Sequence, residues 1–164
     1  MAASAAALLA GAGAAEAAGP PRLTVTSLGE TERAEQGSFC WQVQKRTATG
    51  RPSFVCGDFF YPLDVDCGLP VSPGAEIKIR TGTAVRRIHL ALVSGVGADG
   101  GADYLEWTES RRSRKGRKVW RFELPPEIGL AAVLDISIVG RRGDSNTWAG
   151  LATAACAALP PRSR

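Results

Sequence analysis

The sequence predicts an all-β protein, an antiparallel sandwich of about eight strands with one short helical crossover. From residue 22 onward, apolar residues alternate with polar ones in segment after segment, which is typical of strands with a single buried face. Turn-forming Gly, Pro, Asp and Ser residues lie between these segments, at 50–52, 72–74, 98–101 and 142–145. The sequence has no long amphipathic helix pattern, which argues against enzymes built on parallel α/β sheets.

Each strand follows from the alternation in chain order. Leu23 and Val25 alternate with threonines, and Trp120 and Phe122 alternate with charged residues. The predicted strands are 23–26, 39–44, 76–80, 87–92, 120–124 and 134–138, with weaker patterns at 103–108 and 146–153. The segment Pro125–Ala132 is predicted to be helical, because its two prolines and Glu127 suit a helix N-terminus.

Length and composition indicate one globular domain, since the 164 residues are 45% hydrophobic and 22% charged. The domain is predicted at 22–154, with a leader at 1–21 and a tail at 155–164. Ala5–Ala15 suits the apolar core of a signal peptide, and Ala15-Glu16-Ala17 offers a small-x-small cleavage pattern. No Lys or Arg precedes this run, so a disordered Ala-rich leader is the alternative. No apolar run reaches about 20 residues, so no membrane span is predicted.

The four cysteines favour export into an oxidising compartment. Cys40, Cys56, Cys67 and Cys156 are separated by 15, 10 and 88 residues, without the close pairs typical of zinc sites. Four cysteines allow three pairings, of which Cys40–Cys56 with Cys67–Cys156 is our expectation. Four reduced, buried thiols in a cytosolic protein are the alternative.

The strongest charge feature is the segment 111–121, with seven basic residues and no acidic one. It predicts contact with an anionic cell-envelope polymer or membrane surface, driven by counterion release. The residues of this possible site are Arg111, Arg112, Arg114, Lys115, Arg117 and Lys118. The alternative is a solvated hairpin tip with Lys115-Gly116 as its turn. Nucleic acid is disfavoured, because the net charge is only +4 and aromatic residues are sparse in the segment.

Several short islands resemble small secreted immunoglobulin-like sandwich proteins of unknown function from high-GC bacteria. The islands are Gly37–Trp41, Tyr61–Leu63, Val71–Gly74, Trp120–Pro125 and Arg142–Leu151. The resemblance implies an immunoglobulin-like sandwich and an extracytoplasmic location. Trp41 directly follows Cys40, whereas antibody domains place the core Trp in the next strand, so the likeness concerns architecture.

Residues with catalytic chemistry are few and are not arranged in recognisable motifs. His89 is the single imidazole, and its alternation places it on an outward face beside Arg87. Asp58, Asp64 and Asp66 fall among aromatic residues, which would suit a hydrolase or a carbohydrate-binding surface, but a polar connection between cysteines is the simpler interpretation.

Two further motifs are interpreted as turns. Asp99 and Asp103 lie in a Gly-rich stretch that could supply oxygen ligands to calcium, yet the spacing matches no EF-hand. The tetrapeptide at 142–145 has the sequence Arg-Gly-Asp-Ser of integrin ligands, and Gly-Asp is also ordinary hairpin-turn material.

The sequence therefore predicts a secreted, non-enzymatic β-sandwich module of the cell envelope or extracellular space, with an unknown ligand. Binding of an anionic polymer or membrane surface through 111–121 is one alternative, and hydrolysis by Asp58, Asp64 or Asp66 is another. No metal and no other cofactor is predicted.

We expect no free thiol in the native protein, because an even cysteine set in an exported domain forms disulfides. Alkylation without reductant, followed by mass spectrometry, should leave all four cysteines unlabelled. Labelling of two or more cysteines would contradict this scheme.

Overall fold

A computed structural model describes residues 19–44, 49–58, 68–96, 102–128 and 131–152. The described strands are β1 (Leu23–Ser27), β2 (Glu30–Arg33), β3 (Glu35–Gln44), β4 (Ser53–Gly57), β5 (Leu69–Pro70), β6 (Glu76–Val96), β7 (Ala102–Glu123), β8 (Ala131–Val139) and β9 (Gly143–Ala152). All of them belong to one sheet, which curls into a half-barrel. The all-β prediction is confirmed, and the described residues contain no helix.

The long hairpin of β6 and β7 is the backbone of the sheet. One edge of β6 pairs with β7 from Glu76 to Val96. The other edge pairs first with β1, through residues 78–81, and then with β8, through residues 87–93. From β8 the sheet continues through β9 and β3 to β4. One hairpin therefore joins two portions of antiparallel sheet.

The partner of β6 changes from β1 to β8 at the place where both strands of the hairpin carry extra residues that interrupt the regular pairing. We call these two stretches the excursions. Residues 81–84 of β6 lie between the pairs Arg80↔Val119 and Val85↔Arg117, and residues 113–116 of β7 lie opposite Arg86. Gly116 has φ +83°, and a Cβ there would lie 3.3 Å from the Ala84 Cβ, so glycine suits the position. Extra residues of this kind bend a strand and increase its twist.

The apolar side chains of the strands meet on one face of the sheet, which we call the core face. The largest fully buried side chains there are Leu23, Ile77, Ile79, Ile88, Leu90, Leu92, Trp120, Phe122, Leu124, Leu134, Ile136 and Ile138. Each such side chain contributes about 1.5–3 kcal/mol by leaving water. This single cluster draws on both portions of the sheet.

The opposite face, which we call the outer face, carries a smaller apolar cluster of Val93, Val133 and Trp148. The Trp148 indole Nε1 donates a hydrogen bond to Glu35 Oε2 over 3.2 Å. A Cβ on Gly37 would lie 2.3 Å from the Trp148 ring. The ring therefore packs directly over the backbone of β3.

The immunoglobulin-like sandwich is not confirmed, because backbone hydrogen bonds join every described strand into one sheet. The predicted helix at Pro125–Ala132 is also not confirmed. Residues 125–128 are irregular, and Ala131 and Ala132 pair with Ala152 and Leu151 of β9. Pairing along the sheet thus overrides the helix preference of alanine.

The predicted Cys40–Cys56 disulfide is confirmed. The two cysteines are direct cross-strand partners on β3 and β4, with Cα atoms 4.1 Å apart and an S–S distance of 1.97 Å. Cys67 and Cys156 lie outside the described residues, as do residues 1–18 of the predicted leader and the tail 155–164.

We expect Gly37→Ala to lower the free energy of unfolding by about 1–3 kcal/mol, because the added methyl group overpacks against Trp148. Chemical denaturation measures the change. Gly19→Ala is the control, since nothing lies within 4 Å of a Cβ there. Equal stability of both variants would contradict the packing of Trp148 on Gly37.

Candidate anion-binding surface

The basic segment 111–118 lies within strand β7. The alternative of a hairpin tip at Lys115-Gly116 is therefore wrong, although the cations of the segment are exposed to solvent. Pairing with β6 continues on both sides of the excursion 113–116, with Arg112 opposite Arg87 and Arg117 opposite Val85. Gly116 has the positive φ expected of a turn residue, but it belongs to a bulge in a continuing strand. The extra residues are absorbed without reversing the chain.

The structure brings three further arginines, all from β6, to the same place. We call the combined set the basic ladder. Its members are Arg80, Arg86, Arg87, Arg111, Arg112, Arg114, Lys115, Arg117 and Lys118, and all of them are exposed. The segments 80–87 and 111–118 contain no Asp or Glu. The ladder is therefore a surface of one sign of charge.

Sequence reasoning missed the three β6 arginines, although a signal for them was available. In the regular pairs Ile77↔Phe122 and Ile88↔Arg111, the partners lie symmetrically about residues 99 and 100. Those residues fall in the turn predicted at 98–101. Folding the sequence about that turn would have placed 80–87 opposite 112–119.

The ladder has cations on both faces of the sheet. Arg87 and Arg112 are direct cross-strand partners on the outer face. On the core face, the Arg111 guanidinium lies 4.6 Å from the Phe122 ring centroid, and that of Arg117 lies 5.7 Å from the Trp120 ring. Such cation–π contacts fix two guanidinium groups against the rim of the core.

Carboxylates neutralise little of this charge. Among the described residues, Arg111 is the ladder member within ion-pair distance of a carboxylate, with its Nε 4.0 Å from Glu109 Oε2. The tighter pair, Arg121 Nε with Glu76 Oε1 at 3.1 Å, lies beyond the end of the ladder. Exposed pairs of this kind are weak, so the ladder keeps its positive potential.

One row of cross-strand partners crosses the outer face from the ladder to the opposite side of the sheet. The row runs Arg112, Arg87, Val139, Asp144, Cys40 and Cys56, one residue from each of six strands. The next outer-face row is polar and consists of Ser110, His89, Ser137 and Asn146. Basic, apolar and polar side chains thus share one continuous surface.

A groove of about 590 Å³ lies along the part of these rows formed by β8, β9, β3 and β4, and we call it the polar groove. Its lining includes the disulfide, Asp58, Asp144 and Asn146. Ser38 donates a hydrogen bond to Asp58 Oδ1 over 2.5 Å. Asn146 Oδ1, on the same face, is buried without a hydrogen-bond partner. The Ser145 hydroxyl is also buried and unpaired, but Ser145 pairs with Ile138 and so faces the core.

The other residues predicted from sequence are not assembled into a catalytic constellation by the described part of the chain. His89 is half-buried on the outer face, between Ser110 and Ser137. Asp58 is exposed, whereas Asp64, Asp66 and Asp99 lie outside the described residues, as does the side chain of Asp103.

The Arg-Gly-Asp-Ser sequence lies at the hairpin between β8 and β9. Arg142 donates from its Nε to the Gln42 carbonyl over 2.8 Å and from its terminal nitrogen to the Val43 carbonyl over 3.1 Å. The Gly140 N–H donates to the Gly143 carbonyl across the turn. Arg142 therefore fastens the turn to β3.

Away from the ladder, burial raises the pKa of the Glu32 carboxyl, and the nearby charge of Glu35 raises it further. The Leu69 N–H donates to this carboxyl and opposes the shift. The contact ties β2 to β5, so its evident role is structural.

Comparison with models of known families, with curated proteins and with solved structures finds no match to this chain. The described residues include no helix with the length and apolarity to cross a bilayer. They also include no group of three or more His, Cys, Asp or Glu that could hold a metal ion.

We expect Arg87→Gln and Arg112→Gln each to raise the free energy of unfolding by about 0.5 kcal/mol, because like charges directly opposite each other repel. The double variant should gain less than the sum, since the first change already relieves the repulsion. The coupling should shrink with added salt. The control is the double-mutant cycle of Arg80→Gln with Arg112→Gln, whose effects should add because Arg80 lies opposite Val119. Additive effects in the Arg87–Arg112 cycle as well would contradict the repulsion.

Proposed function

We propose that this protein is an exported, non-enzymatic module that binds an anionic polymer of the cell envelope through the basic ladder. The observation that carries the proposal is the direct pairing of Arg87 with Arg112 on the outer face. Folding places two like charges side by side at a cost in stability. An anion bound between them would remove the repulsion, and the free energy regained would add to the affinity.

Protection of a sheet edge is the competing explanation for the basic residues of β7. Among the described strands, β7 pairs with β6 alone, and cations and bulges on edge strands prevent pairing with other chains. This explanation does not extend to Arg80 and Arg87, because at these residues β6 has a partner on each side. A binding role accounts for both strands.

The chemistry of the ladder favours phosphate-bearing polymers. Arginine forms bidentate, charge-assisted hydrogen bonds with phosphate oxygens, and release of condensed counterions adds to the affinity. Nucleic acid bases would need exposed aromatic rings on which to stack. Trp120 and Phe122 are buried, and Arg117 and Arg111 lie over them.

The proposed location follows from the cysteines and from the resemblance to secreted sandwich proteins of high-GC bacteria. The Cys40–Cys56 disulfide is compatible with an oxidising compartment, where such polymers occur. The immunoglobulin-like architecture stays part of this proposal, with the β6–β7 hairpin as the link between two sheet portions.

We expect the triple variant Arg86→Gln, Arg112→Gln, Arg114→Gln to elute from immobilised polyphosphate at lower salt than the unchanged protein. Its plot of log affinity against log salt should also be flatter, because fewer counterions are released. Its free energy of unfolding should stay within about 0.5 kcal/mol, as for most exposed positions.

The matched control is Arg33→Gln, Arg51→Gln, Arg141→Gln, which removes the same charge from three exposed positions outside the ladder. If both variants lose the same retention, net charge alone is responsible and the ladder is not a site. If the unchanged protein is not retained at low ionic strength, the proposed function is wrong.

A further inference from the structure

The basic ladder and the polar groove lie on the same face, and the cross-strand registers fix how they are connected. Arg87 pairs with Val139, and Val139 pairs with Asp144, which lines the groove. Two strand spacings, or about 10 Å, separate the backbones of Arg87 and Asp144. A polymer that crosses the strands from the ladder therefore reaches the groove over a distance of about 10 Å.

The groove and the ladder require opposite chemistry from such a chain. Asp144 and Asp58 are acceptor-only carboxylates, so they repel phosphate and accept hydrogen bonds from hydroxyl groups. A uniform polyanion would bind to the ladder and be repelled at the groove. A chain with an uncharged, hydroxyl-bearing unit next to each anionic group satisfies both surfaces.

A buried polar atom of the groove supports this requirement. Asn146 Oδ1 is buried and has no hydrogen-bond partner. Unpaired buried polar groups are destabilising, and a hydroxyl group placed in the groove would relieve that cost. The half-exposed Val139 next to Asp144 offers a surface for the C–H groups of the same unit.

We infer that the ligand is a polymer in which phosphates alternate with sugar or polyol units, and that it lies across the strands. Its phosphate contacts Arg87 and Arg112, while hydroxyl groups of the adjoining unit donate to Asp144 and enter the groove beside Asn146. This inference rests on the proposed function and names the ligand class of the same face.

Affinity for poly(glycerol phosphate) and for linear polyphosphate at equal phosphate concentration tests the inference, with calorimetry as the readout. The unchanged protein should bind poly(glycerol phosphate) more tightly. In the double variant Asp144→Ala, Asn146→Ala, affinity for poly(glycerol phosphate) should fall about tenfold, as expected for about two lost hydrogen bonds. Its affinity for polyphosphate should not fall.

The expected fall in affinity for poly(glycerol phosphate) cannot be an effect of charge, because removing the Asp144 charge would by itself strengthen binding of any polyanion. Glu30→Ala is the matched control, since it removes an exposed carboxylate from β2, at the other end of the sheet. It should leave affinity unchanged or slightly raised. If the double variant does not fold, the comparison of the two polymers on the unchanged protein decides the matter.

Equal affinity for the two polymers would overturn the ligand class and leave the proposed function intact. Tighter binding to phosphatidylglycerol vesicles than to poly(glycerol phosphate) would assign the same chemistry to a lipid surface and overturn the polymer. Failure to bind any of the three probes at low salt would overturn both proposals.

Discussion

The two excursions of the β6–β7 hairpin have the same length, and the rest of the described structure depends on this equality. Residues 81–84 of β6 lie opposite Lys118 alone, and residues 113–116 of β7 lie opposite Arg86 alone, so each strand carries three extra residues relative to its partner. The register beyond the excursions therefore returns to its value before them. With the pairing of Arg112 held in place, a mismatch of one residue would turn Trp120 and Phe122 toward the outer face. Ile79 and Ile77 would then lose their partners on the core face.

The preserved register also determines the surface chemistry. Because Ile79 and Ile88 both face the core, the residues that alternate with them on either side of the excursions face outward. Arg87 consequently meets Arg112 on the outer face, and Val139 and Asp144 continue the same row. The apolar core and the basic ladder are thus two results of a single pairing. Neither can be shifted without shifting the other.

This dependence explains which parts of the fold were predictable from sequence. The alternation of apolar and polar residues is local, so strands such as 134–138 could be recognised without knowledge of their partners. The excursions interrupt the alternation, and β6 and β7 were therefore each interpreted as two strands, with Lys115-Gly116 as a hairpin turn. β4 escaped prediction because Phe54 and Val55 are both exposed, so no buried face marks it. The Ala131-Ala132 pair was assigned to a helix because alanine carries no signal for its partners on β9.

The candidate site was predictable in part for the same reason. The charge of 111–118 is a property of the sequence, but its arrangement depends on long-range pairing with 80–87. The polar groove needs still more distant partners, since β3, β4, β8 and β9 each contribute to it. The Cys40–Cys56 disulfide holds β3 to β4 at the end of the same row. It restrains the edge of the groove as the long hairpin restrains the ladder, and the outer face therefore presents both surfaces at a fixed separation. Surfaces held in place before binding lose little conformational entropy when a ligand binds, so the proposed polymer would be recognised by its repeat as well as by its charge.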